Sequence, residues 1–161
     1  MNPLRVNRVL AALASSLVTL WVGGLWIVGY LAVPLLFKGI SDSMLAGLVA
    51  GSMFTVLAWI GLGAGCFLLG LLSRLNGRAV TREPLAWVLV AMLVLTAVGQ
   101  FGIQPLMADL KAQAWPRHVM DSAGADSFRL WHGVSSVMHL ALSVLGLVLV
   151  LRWGRERRPE I

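Results

Sequence analysis

Four stretches of this chain contain no Lys, Arg, Asp or Glu: Val9 to Phe37, Ser43 to Ser73, Pro84 to Ala108 and Leu130 to Leu151. The shortest is bounded by Arg129 and Arg152. At ~1.5 Å per residue it already reaches ~33 Å as a helix, enough to cross the hydrocarbon core of a bilayer. Strands are excluded, because the runs are long and continuously apolar and an open sheet edge has no partner in lipid. The chain is therefore expected to be all-α. It should form one transmembrane four-helix domain, with spans of about 9–37, 44–73, 84–108 and 130–151.

Composition agrees. Charged residues make up 12% of the chain, against ~25% in a soluble domain. The net charge of +6 does not indicate nucleic acid, because the basic residues lie between apolar runs, where they report membrane orientation. Arg5, Arg8, Arg74, Arg78, Arg82, Arg152, Arg155, Arg157 and Arg158 give nine on one side, and Lys38, Lys111, Arg117 and Arg129 give four on the other. Both termini and the link between the second and third helices should therefore be cytoplasmic. The first helix resembles a signal peptide at its start, but its apolar run continues to Phe37, too long for one, so it is read as an uncleaved span. Trp87 and Trp153 are placed at the inner interface and Trp131 at the outer. Pro34, Pro105 and Pro116 are expected to end or kink helices on the outer side. The single cysteine, Cys66, is read as a small buried hydrophobe.

With no charge in any span, a carboxylate-based pump or channel is not expected. Helical wheels gather the remaining polar and small residues into one seam per helix. These are Ser15, Thr19, Trp26, Gly29 and Tyr30 on the first, and Ser52, Thr55, Trp59, Cys66 and Gly70 on the second. Thr96, Gln100, Gln104 and Met107 follow on the third, and His132, Ser135, Ser136, His139, Ser143 and Gly146 on the fourth. A bundle with all four seams inward would satisfy them. Depth concentrates the polar members in the outer half. Two readings follow. In one the seams only pack helices, with Gly61, Gly65 and Gly133 allowing close approach. In the other they form an outward-opening pocket of His132, Ser135, Ser136, Gln100, Gln104, Tyr30 and Trp26.

His132 and His139 share a face but stand ~10.5 Å apart along the helix. They cannot chelate one metal ion as a pair, nor ligate one haem from both sides. No cofactor is required, and copper or haem remain options. The copper option would join His118, Met120, Met107 and His132 in a soft outer site. No paired carboxylate at membrane depth, nucleophile elbow, phosphate loop or zincin spacing occurs, so the chain is expected not to be an enzyme.

The segments "WVGGLWIVGYLAVPLLF" (Trp21 to Phe37), "QFGIQPLMADLKA" (Gln100 to Ala112) and "FRLWHGVSSVMHL" (Phe128 to Leu140) resemble the transmembrane-protein-205-like family of four-span membrane proteins. Pro34 and Phe37 match its Pro-x-x-Phe, and Phe128, His132, Gly133 and Ser135 match its Phe-x-x-x-His-Gly-x-Ser. Where that pattern has Asn or Tyr, this chain has His139, so the resemblance does not cast His139 as an obligatory ligand. The family is distantly similar to copper-resistance-D-like proteins. The resemblance implies a bacterial inner-membrane version of the fold. The expected role is a non-enzymatic inner-membrane protein whose pocket handles a small solute or metal. The alternatives are an assembly subunit, packing on another membrane protein or on itself, and a haem- or quinone-linked redox protein.

Overall fold

The computed structural model describes residues 3–115 and 118–155, so Pro116, Arg117, Arg157 and Arg158 lie outside it. Helix α1 (Pro3–Ile27) passes through a π-helical turn (Val28–Ala32) into α2 (Val33–Gly39). Helix α3 (Ser43–Asn76) follows, then a 3-10 turn (Gly77–Arg82) and α4 (Pro84–Ala97). A second π turn (Val98–Ile103) leads into α5 (Gln104–Ala114), and a 3-10 turn (Val119–Asp121) precedes α6 (Ala125–Arg155). Among the described residues four helical stretches are long and apolar enough to cross a membrane: Arg8–Gly39, Ser43–Arg82, Pro84–Ala114 and Ala125–Trp153. The chain is an all-α bundle of these four spans.

Local chemistry sets the boundaries. Asp42 Oδ1 accepts from the Met44 and Leu45 amides at 2.8 and 3.2 Å, capping α3 and satisfying donors that a helix start leaves open. At the far end Gly77 has φ +54°, a left-handed conformation that glycine adopts without a Cβ clash. Pro84 opens α4, where a missing amide costs nothing.

Pro34 and Pro105 do not end their helices. A proline ring clashes with the carbonyl four residues back and donates no hydrogen bond. Those carbonyls belong to Tyr30 and Phe101, and each lies within a π turn. The wider turn shifts pairing to the fifth residue back: the Val33 amide bonds Val28 O and the Gln104 amide bonds Gly99 O. The backbone stays right-handed helical at the junctions. Both π turns begin with Val-Gly.

The first span packs between the second and the fourth, and the third span packs between the same two. The four therefore close a square, as in an up-down bundle. The central apolar cluster draws on every span and includes Trp21, Leu25, Leu57, Leu68, Leu89, Met92, Leu142 and Leu149. Trp21 is fully buried against Gly61 and Gly65 of α3. A Cβ at Gly61 would overlap Trp21 Nε1, and one at Gly65 would stand 3.1 Å from Trp21 Cη2.

The inward face of α3 is Ala46, Ala50, Leu57, Gly61, Ala64, Gly65, Leu68 and Leu72. It is not the expected seam. Ser52, Trp59, Cys66 and Gly70 are exposed on the outside of the bundle, and Thr55 is half-buried. Cys66 is thus not a core residue. The physical reason is that lipid is as apolar as the bundle interior, so small and aromatic groups lose little by facing it. The Ser52 hydroxyl donates to Leu48 O of its own helix at 3.1 Å and needs no interior partner. Trp153 is buried in the apolar cluster. Trp87 is exposed and donates from Nε1 to Thr81 O at 3.0 Å.

Candidate functional site

The polar centre of the bundle is built on His139, not His132. His139 is the midpoint of the 29-residue span Ala125–Trp153. Its imidazole crosses to the first span and occupies the space that a Cβ on Gly29 would fill. Nε2 stands 3.1 Å from Leu25 O. A carbonyl can only accept, so Nε2 carries the hydrogen and the neutral ring keeps its lone pair on Nδ1. Among the described residues Nδ1 has no hydrogen-bond partner, and it is not among the fully buried unpaired atoms. It is therefore not completely enclosed by the bundle.

Aromatic rings surround this imidazole. Phe54 of α3 meets it edge-on at 5.3 Å and 74°. Tyr30 lies at 5.6 Å and 50°, and Trp26 packs on Tyr30 at 5.2 Å. The Tyr30 hydroxyl donates to Ser143 Oγ at 3.2 Å, and Ser143 Oγ donates to His139 O at 2.9 Å. Ser143 is fully buried, whereas Trp26 and Tyr30 are 46% and 45% exposed. The cluster thus begins inside the bundle and reaches its surface between the first and fourth spans.

The end of the bundle formed by α5 and the starts of α3 and α6 is organised differently. Gln104 Nε2 donates to Gly51 O and Lys111 Nζ to Gly47 O, each at 3.4 Å. Glycine leaves these α3 carbonyls uncovered, so two side chains of the third span can reach them. Lys111 also sits 5.7 Å from the centre of the Phe128 ring. His132 is exposed and stacks on Phe128 at 6.0 Å and 12°, a contact between helix neighbours four residues apart.

The expected pocket is therefore not assembled as one site. Among the described residues His132 hydrogen-bonds to none of Gln100, Gln104 or Tyr30. Tyr30 turns instead to Ser143, and Gln104 to Gly51. Ser136 is exposed and bonds His132 O of its own helix, while Ser135 and Gln100 are half-buried. Gly133 has nothing within 4 Å of where a Cβ would be, so it packs against no neighbouring span. A shallow depression of about 500 Å³ does lie nearby, lined by Arg129, Leu130, Gly133, Val134, Val137 and Met138. All six belong to one helix, and His139, Tyr30, Trp26, Phe54 and Ser143 are not among them.

Two residues of the copper option, His118 and Met120, meet in the 3-10 turn. His118 Nδ1 accepts the Met120 amide at 3.2 Å, capping the 3-10 turn, which leaves one ring nitrogen for other work. Among the described residues no three of His, Cys, Asp or Glu converge.

A family model described as a domain of unknown function, DUF4149, matches residues 16–116, well over half of the chain. The chain belongs to the DUF4149 family. No curated protein and no solved structure matches it significantly. The DUF4149 match takes in both π turns, Leu25, Gly29, Tyr30 and Phe54, whereas His139 and Ser143 lie beyond it. The site thus joins Trp26, Gly29, Tyr30, Phe54 and the Leu25 carbonyl of the DUF4149 segment to a final helix outside the match.

His139, Ser143, Phe54, the Leu25 carbonyl and the recess at Gly29 are absent from the sequence-derived pocket. The available signal was depth. Gly29 and Tyr30 lie near the level that His139 occupies on the fourth span, and each belongs to its helix's polar seam.

Proposed function

We propose that this chain is a small, non-enzymatic multi-pass protein of a bacterial inner membrane, with both termini cytoplasmic, that binds a small ligand at the His139 cluster. The observation that supports this reading is the unpartnered Nδ1 of His139, an acceptor at the centre of an apolar span. A polar group left unmatched in apolar surroundings costs ~1–3 kcal/mol, and a bound ligand would offset that. Lysine and arginine asymmetry supports the orientation. The likeness to transmembrane-protein-205-like proteins supports a shared four-span plan between that group and DUF4149.

The test is to purify the chain from its native membranes in mild detergent and analyse what is retained, by mass spectrometry for small molecules and by elemental analysis for metals. A stoichiometric component present with the native chain and lost in His139→Phe supports the reading. Identical retention in both proteins defeats it.

A second reading, an assembly subunit, draws on the exposed face of α3, where Ser52, Trp59, Cys66 and Gly70 point away from the bundle. On that reading the face meets another membrane protein or a second copy of the chain.

A further inference from the structure

We propose that the His139 cluster is a lateral site for a membrane-dissolved hydroquinone, entered from the bilayer between the first and fourth spans. This rests on the reading that the cluster binds a ligand, and it specifies the ligand's class.

Hydrogen-bond polarity comes first. Nε2–H is committed to Leu25 O, so the neutral ring presents a lone pair and nothing else. The ligand must donate a hydrogen bond, as a hydroxyl does. Depth comes second. His139 is at the midpoint of its span. A charged or zwitterionic headgroup stays at the interface, because carrying charge to the bilayer centre is costly. The donating group must therefore be uncharged and carried on an apolar body. Shape comes third. Tyr30 and Phe54 pack on the imidazole and Trp26 packs on Tyr30, with ring centroids 5.2 to 5.6 Å apart, and an aromatic cluster of this kind offers a further flat ring an offset or edge-on neighbour. Entry follows from exposure, since Trp26 and Tyr30 are the two half-exposed members.

An aromatic diol on an apolar tail meets all of these conditions. The oxidised quinone does not, because its carbonyls only accept. The site should thus discriminate the reduced form from the oxidised one by binding alone, and no electron transfer is part of the proposal.

The experiment titrates the full chain in lipid nanodiscs, ¹⁵N-labelled at histidine, with a decyl-substituted hydroquinone, its oxidised quinone, tail-less hydroquinone and Zn²⁺. The expected result is saturable binding of the decyl hydroquinone with a shift of the His139 Nδ1 resonance. Binding should weaken by up to about tenfold for the oxidised form and for His139→Phe, the loss of roughly one hydrogen bond. Cys66→Ala should bind as the native chain does. An Nδ1 resonance unmoved by the decyl hydroquinone overturns the proposal even if His139→Phe does not fold. So does equal affinity for both oxidation states. If Zn²⁺ or tail-less hydroquinone shifts Nδ1 while the decyl compound does not, the ligand-binding reading survives and the hydroquinone inference fails.

Discussion

Gly61→Ala should destabilise the bundle, and the structure indicates by how much. The added methyl would overlap Trp21 Nε1 and lie 2.7 and 3.1 Å from Cε2 and Cδ1. These are atoms of a rigid ring, not the end of a flexible chain. The ring cannot slide away, since it is fully buried and its far edge already stands 3.1 Å from where a Cβ on Gly65 would be. Forcing a methylene into a filled core costs ~1–3 kcal/mol. Replacing glycine by alanine within a helix returns up to ~1 kcal/mol. With the full return the net loss is up to about 2 kcal/mol, a shift of up to roughly 30-fold in the folding equilibrium. Unfolding in mixed micelles of rising SDS content, followed by far-UV circular dichroism, measures it. Gly63→Ala is the control, because nothing lies within 4 Å of its Cβ position, and it should not lose stability. Trp21→Phe placed on Gly61→Ala should recover part of the loss, since the smaller ring vacates the overlap. If Gly61→Ala unfolds within ~0.5 kcal/mol of Gly63→Ala, Trp21 is not wedged as described.

On a Cys66→Ala background, Ala79→Cys should be protected from a membrane-impermeant maleimide in intact cells and Ala123→Cys should react; the reverse pattern would overturn the proposed orientation. Both positions are exposed, and Ala79 avoids the strain that a side chain at Gly77 would meet. The native Cys66, exposed on the outside of the bundle, should react with a lipid-soluble maleimide and not with an impermeant one; it should form an oxidative dimer only if the outer face of α3 is an interface between copies. Asp42→Ala should cost ~1 kcal/mol by removing the α3 cap, with Asp42→Asn close to the native chain in the same SDS titration.

The number and extent of the spans were legible because charge is excluded from a bilayer core whatever the fold around it. Which way each helix faces was not, and the reason lies in the hydroxyls. A helical wheel treats every polar residue as equally drawn inward. Thr19, Ser52 and Ser73 each donate to the carbonyl four residues back in their own helix. Once bonded in that way, a hydroxyl loses little by facing lipid, so it carries almost no directional information. Four other contacts do cross between spans. Tyr30 bonds Ser143, His139 bonds Leu25 O, Gln104 bonds Gly51 O and Lys111 bonds Gly47 O. These donors are longer or rigid, and an apolar environment offers them nothing unless they reach a neighbouring helix. Weighting the wheels by this distinction sets Ser52 and Thr19 aside and moves attention to Tyr30, Gln104 and His139. It also accounts for His132. Near the end of its span an imidazole does not depend on a bundle partner to meet its polar needs, and stacking on Phe128 covers one face. At the midpoint water is not available, and the ring must turn inward to Leu25 O. Two histidines on one helix face thus have different environments because they differ in depth.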